Sequence, residues 1–145
     1  MRDLPRQLSA EELAELFEGR TRLVELLAER EQPLETVGDA IAELTEAEKL
    51  EALNAHPAIG ARDLSPRSAE EQGSGSDPVI LTELAYLNQV YEEKFGFRFV
   101  VFVDRRSKAE ILEVLRERLE RSREEELETA LEELVAIARD RWQRS

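Results

Sequence analysis

Residues 77–103 read DPVILTELAYLNQVYEEKFGFRFVVFV, and the class of fold turns on them. Asp77 followed by Pro78 has the form of an N-cap and a first helical residue. Behind them Ile80, Leu84, Leu87, Tyr91 and Phe95 recur at helical spacing, which predicts one long amphipathic helix. Phe97 to Val103 is the one β-like run in the chain. No second run exists to pair with it, so it reads as a buried extended connection between helices. A sheet is not expected.

Helix starts recur on both sides of this stretch. Ser9-Ala10-Glu11-Glu12 is a capping box ahead of Leu13, Leu16 and Phe17. Thr45-Glu46-Ala47-Glu48 is another, opening a helix through Leu50, Leu53 and Ala55. Ser107 can cap Ile111 to Leu119. Ser122-Arg123-Glu124-Glu125 opens the last helix, whose apolar stripe is Leu127, Leu131, Leu134 and Ala138. Gly19 separates the first two helical stretches, and Pro33 is placed at the start of the third. Pro57 to Arg67 reads as a loop and Gln72 to Asp77 as a short turn. There is no internal repeat and no low-complexity linker. The expectation is an all-α protein, residues 1–145 forming a single compact domain of about seven or eight helices.

The bulk numbers fit that reading and exclude several functions. A chain of 145 residues with 41% hydrophobic residues can bury a proper core. A charged fraction of 37% is high, but the apolar residues recur throughout, which argues against disorder. The net charge of −13 comes with no basic footprint, so no nucleic-acid partner is expected. An anionic substrate would need a local cation in its pocket. Cysteine is absent, which excludes disulfides and thiolate metal sites. No apolar run is long enough to cross a bilayer, and Met1 to Pro5 has no signal-peptide core. No membrane contact is expected, and the cytoplasm is the expected compartment.

His56 is the only histidine, and it precedes Pro57. Proline disfavours helical geometry in the residue before it, so a helix should end there. His56 is then either a C-terminal cap favoured by the helix dipole or a general acid–base group beside an irregular loop. Glu71 has two readings as well. Ser68-Ala69-Glu70-Glu71 is a capping box, and Glu71-Gln72 could equally present a carboxylate and an amide to a ligand. On the last helix Arg141 lies about 20° from Leu134 and about 60° from Ala138, inside the apolar stripe. Near a chain end it either snorkels to solvent or serves as the cation for an acidic substrate. One histidine cannot make a two-histidine metal motif, so no metal site is expected.

As an ordered set these motifs resemble the OHCU decarboxylase family, which acts on 2-oxo-4-hydroxy-4-carboxy-5-ureidoimidazoline in the oxidation of urate to allantoin. The resemblance rests on His56-Pro57 with Ile59-Gly60, on Ser68-x-x-Glu71-Gln72, and on Leu87-Asn88-x-x-Tyr91-x-x-Lys94-Phe95-Gly96-Phe97-x-Phe99. It ends in the helix carrying Ile137-x-x-x-Arg141, and so covers nearly the whole chain. It implies an all-helical fold, a carboxy-lyase activity without a cofactor, and a homodimer. His56 matches the catalytic histidine, Glu71 its partner carboxylate, and Arg141 the substrate arginine. Pro57, Ser68, Ala69, Glu70 and Gln72 match substrate-contacting positions. Phe99, Val100, Val101, Phe102 and Val103 match a segment whose backbone touches the ligand. Two residues depart from the pattern: Arg98 where the family often has proline, and Trp142 where leucine is usual. The competing class is a non-catalytic helical binding or scaffolding module derived from the same family.

Overall fold

The first turn of a helix leaves orphan N–H groups, and at most of its helix starts this chain meets one of them with a short polar side chain. In the computed structural model, which describes residues 3–58 and 77–144, the helices are α1 (Ala10–Phe17), α2 (Arg22–Ala28), α3 (Val37–Ala42), α4 (Glu46–Asn54), α5 (Pro78–Phe95), α6 (Lys108–Leu119) and α7 (Arg123–Arg144). No strand occurs among the described residues. Reciprocal capping boxes join Ser9 to Glu12, Thr45 to Glu48 and Ser107 to Glu110. Ser122 and Glu125 make the same exchange at α7. Each such cap is worth about 1 kcal/mol. Asp77 caps α5 by accepting from Val79 N–H at 2.9 Å, with Pro78 at the first helical position.

The third helix starts at Val37, not at Pro33. Gln32 adopts a left-handed φ of 51°. The N–H groups of Glu35 and Thr36 both donate to its carbonyl, and so does the Thr36 hydroxyl. These bonds close a tight turn ahead of the helix. Gly19 does separate α1 from α2, but the left-handed residue ending α1 is Glu18, at φ 62° and ψ 26°. Gly19 N–H reaches back to the Ala14 carbonyl at 2.9 Å, completing a Schellman turn.

The helix α1 packs against α2 and α7, α2 also against α3 and α4, α4 against α7, and α5 against α6. Between α5 and α6 runs the extended segment, with Phe97, Phe99, Val100, Val101 and Val103 all buried. Its rings join those of α5 in a tilted, edge-to-face cluster in which Tyr91 lies 4.6 Å from Phe95 and 5.2 Å from Phe99, centroid to centroid.

A buried irregular backbone needs polar partners. Arg118 supplies one, donating to the Val100 carbonyl at 2.8 Å while its guanidinium lies 4.7 Å from the Phe99 centroid. Glu126, fully buried, accepts from Arg118 Nε at 2.7 Å, from the Tyr91 hydroxyl at 2.5 Å and from Arg121 at 3.1 Å. Burial, and next the hydrogen bond to Glu126, push the Tyr91 phenol well above its ordinary pKa, so it stays protonated. Among the described residues no helix is long and apolar enough to cross a membrane.

Candidate active site

Three helix C-termini converge around His56. The turn ending α1 lies against the end of α4, so close that a Cβ added to Gly19 would stand 3.6 Å from the Ala55 Cβ. The next residue, His56, leaves the helix with its N–H on the Leu53 carbonyl at 3.2 Å. From α7, Arg141 reaches the end of α1. It donates to the Leu16 carbonyl at 3.2 Å and pairs with the Glu18 carboxylate at 3.0 Å. The last carbonyls of a helix lack intrahelical donors and carry the negative end of the dipole, so a guanidinium is well placed there.

Arg141 is only 1% exposed, which overturns the reading in which it snorkels to solvent. Its position on the apolar face is as the periodicity predicted. Its partner Glu18 was missed. Nothing in sequence marks that residue, because glycine is the usual occupant of a left-handed C-terminal position and Gly19 stands next door. A left-handed glutamate costs roughly 1–2 kcal/mol in backbone strain. Here that conformation aims the carboxylate at the buried arginine.

His56 is 5% exposed, and among the described residues its Nε2 has no hydrogen-bond partner. Burial is the main reason its pKa falls to about 4. The Arg141 charge pushes the same way, Glu18 opposes it, and Arg98 adds a smaller push down. A histidine acting only as a charged helix cap would gain from the dipole and titrate upward. The desolvated ring does the opposite and rests neutral at pH 7.

Pro57 is half-buried beside His56. Of the matched wall segment, Phe99, Val100, Val101 and Val103 are buried and Phe102 is half-buried. Several of its backbone groups are already engaged. The Phe102 N–H donates to Glu133 at 3.3 Å, and Arg106 donates to the Phe102 and Val103 carbonyls. Ser68, Ala69, Glu70, Glu71 and Gln72 lie outside the described residues. Among the described residues no group of three His, Asp or Glu side chains is placed to hold a metal ion.

A family model described as OHCU decarboxylase matches residues 2–143. The chain belongs to the OHCU decarboxylase family. Among curated members of that family, a 2-oxo-4-hydroxy-4-carboxy-5-ureidoimidazoline decarboxylase of Halalkalicoccus jeotgali is 34% identical over 109 residues, covering 72% of this chain and 62% of that protein. A uric acid degradation bifunctional protein of Bacillus sp. strain TB-90 is 32% identical over 152 residues, covering 94% of this chain and 30% of that protein. The chain thus spans less than two thirds of the length of these relatives. The fold matches a crystal structure of OHCU decarboxylase in the presence of (S)-allantoin with a TM-score of 0.76, at 28% identity and over 90% of this chain and 94% of that one. The two departures from the OHCU decarboxylase pattern both have local partners. Trp142 donates its indole N–H to the Asp3 carbonyl at 2.9 Å, and Arg98 contacts the end of α4.

Proposed function

We propose that this protein decarboxylates 2-oxo-4-hydroxy-4-carboxy-5-ureidoimidazoline to (S)-allantoin and carbon dioxide, without a cofactor, in urate degradation. The observation that carries the proposal is the buried, neutral imidazole of His56 set beside the Glu18–Arg141 pair. Family membership supplies the substrate.

The departing carboxylate of this substrate sits on a carbon next to an imine. When the carbon–carbon bond breaks, its electron pair moves into the imine, which leaves an enol. The former imine nitrogen takes one proton from solvent; completing allantoin then needs loss of the enol hydroxyl proton and gain of a proton on the ureido-bearing carbon. His56 suits both steps in that order. Being neutral at rest, it takes up the hydroxyl proton first and then delivers one proton to one face of the carbon.

Arg141 binds an anionic or carbonyl oxygen, the cation that a chain of net charge −13 requires. Phe99 to Val103 supply an apolar wall that excludes water, and Pro57, by the resemblance, contacts the substrate. Glu71 hydrogen-bonds the substrate and tunes its charge, Ser68 and Gln72 read the ureido or ring amides, and Ala69 and Glu70 are, by the resemblance, further substrate-contacting positions. A homodimer and a cytoplasmic location belong to the same proposal, and sedimentation analysis tests the first.

The decisive assay follows circular dichroism at an allantoin band while uricase and hydroxyisourate hydrolase generate the substrate in place. Fast appearance of one enantiomer is expected, falling by about 10²–10⁴ in rate in His56→Ala. Slow racemic product from the intact protein, or full stereospecific turnover by His56→Ala, would refute the assignment.

A further inference from the structure

His56 stands at the end of α4, where the chain itself offers few donors. The residue that follows, Pro57, has no N–H, so the last carbonyls of the helix need partners from elsewhere. Arg98 provides them. Its Nη1 donates to the His56 carbonyl at 2.6 Å and to the Asn54 carbonyl at 3.4 Å. In return, the Arg98 backbone N–H donates to Asn54 Oδ1 at 2.9 Å. The exchange is reciprocal, as in a capping box, but it joins two separate elements, the end of α4 and the start of the extended wall. Glu92 Oε1, on α5, forms an ion pair with Arg98 Nε at 3.5 Å, without a hydrogen bond. A proline at position 98 could make neither half of the exchange, for it has no N–H and no guanidinium.

We propose that Arg98, locked to Asn54, is a positioning residue of this site, holding the His56 main chain in register with the Phe99–Val103 wall. The proposal rests on the assignment of His56 to proton transfer. A proton donor tied to the wall can meet only one face of a substrate lying against that wall. Loosening the tie therefore costs rate and handedness before it costs binding, since misplacement of a reacting group is felt mainly in turnover.

Arg98→Met keeps the aliphatic stem and the backbone N–H but removes the fork. It is expected to lower kcat about ten-fold or more with KM within about two-fold, and to reduce the enantiomeric excess of allantoin. Arg98→Lys, which keeps the charge and one donor, is expected to recover part of both. Among the described residues, the charged groups facing His56 are Arg141 from α7, Glu18 from the end of α1 and Arg98 itself. Removing one of the two cations should move the single histidine resonance to a higher pKa by NMR. A purely structural role predicts a lower Tm in Arg98→Met with kcat and enantiomeric excess unchanged, and that result would overturn the proposal. Should the intact protein lack decarboxylase activity, the functional assignment fails alone. The histidine titration still tests the contact, and an unchanged resonance in Arg98→Met would overturn it.

Discussion

Acidification should destabilise this protein through one identifiable side chain. Burial and the Arg141 charge oppose the imidazolium and push the His56 pKa in the folded protein down to about 4, from an ordinary value of 6.5. The unfolded chain therefore binds a proton between those two values that the folded chain refuses. Stability falls as pH drops through this window and is fully retained above it. A shift of that size amounts to about 3 kcal/mol once the pH is below 4, and to about 2 kcal/mol at pH 5. Against a typical total of about 5–15 kcal/mol the loss is easily measured. Urea unfolding of the intact protein and of His56→Gln, each at pH 7 and pH 5, isolates the effect, since the carboxylates cancel in the double difference. The intact protein should lose about 2 kcal/mol more than the variant between the two pH values, a displacement of roughly 1 M in the midpoint. Equal losses in both proteins, or a histidine that titrates near 6.5 by NMR, would refute the reasoning that the ring is desolvated.

Other substitutions test other parts of the same structure. Glu126→Ala leaves Arg118 charged and buried without its carboxylate, and should cost about 3–5 kcal/mol, a fall in Tm on the order of 10 °C by calorimetry. Gly96 ends α5 at φ 81° with open space where a Cβ would go, so Gly96→Ala should cost about 1 kcal/mol from backbone strain alone, read by urea unfolding. Arg141→Lys replaces a fork that spans Leu16 and Glu18 with a single point of charge. Turnover should drop at least about ten-fold in the dichroism assay even where the protein remains folded.

Much of the fold was legible because its instructions are local. A serine or threonine three residues ahead of a glutamate specifies a helix start by direct hydrogen bonding: the boxes read at Ser9 and Thr45 form, the caps read at Ser107 and Ser122 prove to be full boxes, and the box read at Ser68 lies outside the described residues. The apolar stripe placed Arg141 on the core face, and the lone β-like run with no mate predicted an extended connection without a sheet. The error at Pro33 is also local in origin. A proline fits a first helical turn and a tight turn equally well, and the left-handed Gln32 that decides between them has no marker in sequence.

The site divides along the same line. Sequence by itself determined that one histidine would end a helix before a proline and that one arginine would point inward, because both facts follow from backbone geometry within a few residues. Only the tertiary structure decided their chemistry. It set Glu18 against Arg141 by turning the end of α1 onto α7, and it stripped water from His56, so that its pKa falls although it sits at a helix end where the dipole alone would raise it. It also hooked Arg98 onto the His56 carbonyl across 42 positions of chain. Charge pairing and desolvation depend on what stands within a few ångströms in space, and that neighbourhood exists only once the helices have packed.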